Sequence, residues 1–123
     1  MASTEEARIR LELFDKRYDF VLTLNAFVKR VQAKRDFWTD EDTAFLEGAR
    51  RAEFLFPRDL KAIIDKLWSI GASYQAAAED LSSADPDVRD GARESRKVLR
   101  ASLNETVDEF YKLCDREIRP FKD

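Results

Sequence analysis

Two acidic pairs at i,i+3 spacing, Glu12/Asp15 and Glu105/Asp108, are the residues of this chain best suited to hold a divalent cation. A spacing of three puts both carboxylates of a pair on one face of a helix. Mg²⁺ takes oxygen ligands and needs no histidine, so such pairs could build a Mg-dependent all-helical hydrolase, the alternative an enzyme reading would take. Helical phase opposes it. Both pairs fall on the polar sides of their helices, where convergence on one ion is not expected. Solvated helix faces are the better account, with no catalytic residue, no metal site and no cofactor expected.

Arg17 and Glu53 are the next candidates. Arg17 lies between Leu13 and Leu24 within an apolar arc, and Glu53 falls on the arc of Leu46, Ala49 and Phe56. A charge in such a position must be paired or must reach water. The preferred reading is a structural ion pair between the two. The sharper reading is a small-ligand sensor, a polar anion pocket around Arg17 and Glu53 with Tyr18 and Asn25 as neighbours on the same arc.

Three further features carry weaker chemistry. Arg89, Arg93, Arg96 and Arg100 form a basic stripe, but Asp87, Asp90 and Glu94 are interleaved with it and no aromatic residue is. That pattern suits a salt-bridged surface better than a nucleic-acid footprint, with docking to an acidic partner as the second reading. Cys114 sits on an apolar arc beside Phe110, and the chain has no histidine to activate it, so a buried inert thiol is expected. Trp38 and Trp68 suit either a partner surface or the end of a core.

The composition narrows the class. A length of 123 residues holds one domain with its own core, spanning 1–123. Charged residues make up 38% and hydrophobic ones 44%, with only three Gly and three Pro, which suits a helical domain and opposes disorder. The net charge of -3 gives no overall attraction to nucleic acid or anionic lipid. The absence of His removes the commonest general base and transition-metal ligand. A single Cys suits a reducing compartment. No apolar run approaches the ~20 residues of a membrane span, and no signal peptide is evident. A soluble cytoplasmic protein without membrane insertion is expected.

Four helices position these residues. Ser3-Thr4-Glu5-Glu6 is a capping-box pattern that starts a helix over about 4–35. Its stripes are Leu11, Phe14, Tyr18, Val21, Asn25, Val28 and Leu13, Arg17, Phe20, Leu24, Phe27, Val31. Together they cover about half the circumference, wider than the ~100° of a surface helix. After a connection at 36–38, Thr39 caps a short second helix with Phe45, Leu46, Ala49, Ala52 and Phe56 on one arc. Phe56-Pro57 ends or bends it, and Pro57 suits the first position of a third helix running to about Leu81. Gly71 lies on that helix's apolar arc, where it lets another helix approach. A loop at 82–87 leads through Asp85 and Pro86 into a fourth helix ending near Glu117, with Pro120 beyond it. Short connections favour an antiparallel four-helix bundle, all-α, with a short second helix. The wide arc of helix 1 is expected to stay open around Phe27, Val28 and Val31, which favours self-association.

The segments LELFDKRY (11–18) and RAEFLF (51–56) resemble those of a family of small bacterial helical domains without an assigned activity. Its signature is similar to LxLFDKRYxVYxAxxxFL, followed by an EAEFLFG-like segment and a Pro-aromatic end, here Pro120-Phe121. The resemblance implies a helical fold and supplies no activity. Many such domains follow a single membrane-spanning helix on the cytoplasmic side. This chain has ten residues before Leu11, so a free-standing soluble member is expected, and it carries Pro57 where relatives often have Gly. The reading that fits all of this is a non-enzymatic helical interaction or regulatory domain, with a protein partner or a second copy of itself.

Overall fold

The structure, a computed structural model, describes residues 3–33 and 40–117. It is an all-α bundle of four helices: α1 (Ser3–Gln32), α2 (Asp40–Arg51), α3 (Arg58–Asp80) and α4 (Pro86–Glu117). A 3₁₀ turn, Ala52–Phe54, joins α2 to α3. The expected caps at Thr39 and Pro120, the end of helix 1 beyond residue 33, and Trp38 lie outside the described residues.

Local chemistry sets the visible boundaries. Pro57, at φ -58° and ψ 160°, is the cap of α3 rather than its first residue. Its extended ψ turns the chain before the helix begins. Ahead of α4, the Asp87 amide donates to Asp85 Oδ1 at 2.9 Å and the Arg89 amide to Asp85 O at 3.1 Å. Asp85 is therefore the N-cap that the loop pattern implies. Gly91, in the first turns of α4, leaves the helix unbroken.

α3 packs along α4, and α1 along α2. The two pairs are joined by an aromatic ladder. Phe27 of α1 stacks on Phe45 of α2 at 4.3 Å between ring centroids, and on Trp68 of α3 at 5.7 Å. Phe20 meets Phe45 at 5.8 Å and Phe56 at 5.5 Å, and Phe56 meets Phe110 of α4 at 6.1 Å. These offset and edge contacts add to the burial of large apolar area. Trp68 therefore belongs to the core rather than to a partner surface.

Gly71 gives room for this ladder. A Cβ there would collide with Cζ of Phe27, so the close approach is between α3 and a side chain of α1. This overturns the expected gap at Phe27, Val28 and Val31, all of which are buried. The ring of Phe27 enters the groove that Gly71 leaves, and α2 covers the same end of α1. The opposite end of α1 is the open one. From residue 4 to residue 12 every side chain is exposed, and Leu11, Tyr18 and Leu22 are exposed as well. Of the two stripes on α1, the one through Phe20, Leu24, Phe27 and Val31 faces the core, whereas the one beginning at Leu11 passes from exposed at Leu11 and Tyr18 to buried at Val28.

Among the described residues, no helix is long and apolar enough to cross a membrane.

Candidate functional site

The buried charge pair of this fold is Arg30 with Asp42. Arg30 Nη2 donates to Asp42 Oδ1 at 2.6 Å and Nε donates to the same oxygen at 3.1 Å. Nη2 also donates to Gln75 Oε1 at 3.3 Å, so the cluster ties α1, α2 and α3 together. The side chains are 8% and 1% exposed. A desolvated pair of this kind is stable only because its hydrogen bonds are made. By residue type alone, Arg30 suits the polar side of a helix and Asp42 the acidic start of one. The missed signal was phase: Asp42, Phe45, Ala49, Ala52 and Phe56 are spaced 3, 4, 3, 4, so Asp42 is on the buried arc.

The expected pair of Arg17 with Glu53 is not formed. Arg17 Nε donates to the backbone carbonyl of Leu55 at 2.6 Å, and its guanidinium carbon lies 5.9 Å from the Phe56 ring centroid. Glu53 is exposed. The cause is the 3₁₀ turn, in which each residue advances further around the axis than in an α-helix. It places Ala52 in the core, turns Glu53 outward and aims the Leu55 carbonyl at α1. The two segments of family resemblance do meet, through Arg17 and Leu55, but by a backbone acceptor instead of a carboxylate. Glu53 is not among the residues lining the groove beside Arg17.

Arg17 instead borders an apolar groove of about 390 Å³ between α1 and α4, lined by Phe14, Tyr18, Val21, Phe56, Tyr111 and Cys114. Tyr18 stacks on Phe14 at 6.2 Å. Asn25 lies one turn beyond, where its Oδ1 accepts from the Tyr111 hydroxyl at 2.6 Å. Partial burial holds the Arg17 guanidinium below the ordinary arginine value, and the nearby Cys114 pulls the other way. Cys114 is half-buried, at the groove wall rather than deep in the core. The groove offers shape and apolar area with a cation at its edge.

The basic stripe of α4 is only in part the salt-bridged surface that its sequence suggests. Arg93 does pair with Asp90, at 3.0 Å. Arg96, however, lies over the ring of Tyr74 on α3 at 4.3 Å, and Arg100 Nη2 donates to the Tyr74 hydroxyl at 3.0 Å and to Gln32 O at 3.4 Å. Two nitrogens of Arg96, Nε and Nη2, are shut off from water and have no acceptor. A buried donor of a charged group left unmade costs at least ~1–3 kcal/mol.

Glu105 and Asp108 line a shallow hollow on α4 with Glu109, Lys112, Leu113 and Arg116. Two cations stand beside the carboxylates there. Among the described residues no group of three or more Cys, Asp or Glu is placed to hold a metal ion.

No family model, no curated protein and no solved structure matches this chain.

Proposed function

We propose that this chain is a non-enzymatic helical interaction domain that docks a second copy of itself through the open half of α1. The observation that carries the reading is the exposure of Leu11, Tyr18 and Leu22, at 61%, 55% and 50%, on one face of that helix. Their spacings of seven and four repeat an apolar seam along about 16 Å of helix at 1.5 Å per residue. The apolar groove beside Tyr18 widens the seam. Apolar area gathered in this way marks an interface.

A second copy fits because the face is complementary to itself. In an antiparallel overlay with its two-fold axis between Phe14 and Asp15, Leu11 of one copy meets Tyr18 of the other, and the small Ala7 meets Leu22. Arg8 stands toward one end of the face, where it pairs with Glu5, and Asp15 and Asp19 stand toward the other. Antiparallel overlap brings Arg8 of each copy toward Asp19 of the other, which competes with Glu5 for it. Arg17, a cation of the acidic end, is turned aside by its bond to Leu55, whereas Lys16 and Asp19 both line a hollow against α2. A single helix face gives an area at the low end of specific interfaces, so the dimer is weak and concentration-dependent.

Sedimentation from low to high micromolar concentration tests this reading. Mass should rise above 14.3 kDa with concentration. Arg8→Asp and Asp19→Arg should each weaken the association, and the double variant should restore it. A monomer throughout, or a double variant no better than the singles, overturns it. The LELFDKRY and RAEFLF segments support membership of the family of small bacterial helical domains, for which a cytoplasmic location is part of the proposal.

A further inference from the structure

We propose that the hollow between α3 and the first half of α4 binds a small phosphate monoester. It holds about 310 Å³ and is lined by Tyr74, Leu81, Arg93, Arg96, Lys97 and Arg100. Four of those six residues are cations and none is a carboxylate. In a chain of net charge -3, this is a local reversal of sign. Asp90 offsets Arg93 at 3.0 Å. Among the described residues, Arg96, Lys97 and Arg100 have no carboxylate within ion-pair distance.

Arg96 gives the site its specificity. Nε and Nη2 share one edge of a guanidinium, the edge that takes two oxygens of a carboxylate or phosphate. Arg30 uses this same pair of atoms to hold Asp42. In Arg96 that edge is withdrawn from water and has no acceptor at all. Its guanidinium carbon lies over the Tyr74 ring, 4.3 Å from the centroid. Binding requires this edge to shift along the ring toward an anion entering the hollow, a move that no hydrogen bond on Nε or Nη2 opposes. Arg100 is fixed in place by the Tyr74 hydroxyl and by Gln32 O, so a second cation stands ready without reordering.

The charge selects the ligand. A carboxylate would leave the hollow in positive excess, whereas a phosphate monoester carries about -1.5 to -2 at neutral pH. Leu81, half-buried at the hollow's wall, offers apolar surface to the body of a small ester. The volume suits a small molecule at the lower end of the usual ~300–1,000 Å³ range. This inference is independent of the dimer, since no residue of the hollow lies on α1.

Calorimetric titration with inorganic phosphate and with glycerol phosphate, at fixed ionic strength, is the test. A saturable one-to-one isotherm is expected. Arg96→Gln and Lys97→Gln should each weaken it by about tenfold, the loss of one charged contact. Arg89→Gln, on the same helix but outside the hollow, should leave it unchanged. Lys97 is exposed, so its variant keeps the test valid if Arg96→Gln unfolds. Absence of saturable binding overturns the proposal, and so do equal isotherms for wild type and Lys97→Gln. Binding to vesicles of phosphatidylcholine with phosphatidic acid, without binding of the soluble phosphates, overturns it as well.

Discussion

Arg30 on α1 and Asp42 on α2 form a bond of 2.6 Å in a place that water does not reach. They stand on either side of the connection between those helices, so the pair fixes how α2 lies against α1. Gln75 extends the hold to α3. Association of helices by apolar packing alone would tolerate sliding, whereas a forked guanidinium accepts one placement.

Asp42→Ala should therefore lower stability by about 3–5 kcal/mol, because it leaves a buried arginine charge without its carboxylate. Replacing both partners, as in Arg30→Met with Asp42→Leu, should recover most of that loss. Urea unfolding at neutral pH measures both. A loss under ~1 kcal/mol for Asp42→Ala would mean that the pair behaves as a solvated surface bridge.

The three glycines should respond to alanine in opposite senses. At Gly91 nothing lies within 4 Å of a new Cβ, so Gly91→Ala should stabilise α4 by about 0.5–1 kcal/mol through helix propensity. At Gly71 the new methyl would strike the Phe27 ring, which Phe45 and Trp68 hold in place by stacking. Overpacking there should cost about 1–3 kcal/mol. Gly48→Ala meets Phe20 Cδ1 at 2.8 Å and should also destabilise. Thermal unfolding of the three variants side by side gives the order, and a stabilising Gly71→Ala would contradict the packing described.

The periodicity of apolar residues made the helices and most of the core legible, since phase alone places Phe20, Leu24, Phe27 and Phe45 inside. Phase failed at the RAEFLF segment, because a 3₁₀ turn changes the angular step and no residue type announces it. That one turn moved Glu53 out of the arc and left Arg17 to a carbonyl. Which end of α1 is open was not legible, since that depends on where α2 folds back and on what enters beside Gly71. The inward turn of Arg96 and Arg100 was hidden because Tyr74, their anchor, lies on another helix. Spacing along α4 carries no trace of it.

Arg17 and Glu53 should show no energetic coupling. Glu53→Ala removes an exposed side chain and should change stability by less than ~0.5 kcal/mol. Arg17→Ala loses the bond to Leu55 O and the contact with Phe56, and should cost about 1.5–3 kcal/mol. A double-mutant cycle in urea should give additive losses within ~0.5 kcal/mol. A coupling above ~1 kcal/mol would mean that the two charges do interact.

The open half of α1 should be the least protected helix in the molecule. Its amides from about residue 6 to residue 16 are bonded within the helix, but its side chains have almost no tertiary cover. A helical stretch of that length is marginal in water without packing. Opening there requires only local fraying, whereas the amides from Phe20 to Val31 sit in the aromatic ladder and open with the whole fold. Hydrogen exchange at low micromolar concentration should thus show fast exchange over 6–16 and near-global protection over 20–31. Raising the concentration should slow exchange in 6–16 alone, because a second copy covers that face, and Tyr18→Asp should abolish the slowing. Exchange over 6–16 that is slow and independent of concentration would place stabilising contacts on this helix within a single chain, and the open face would then not be an interface between copies.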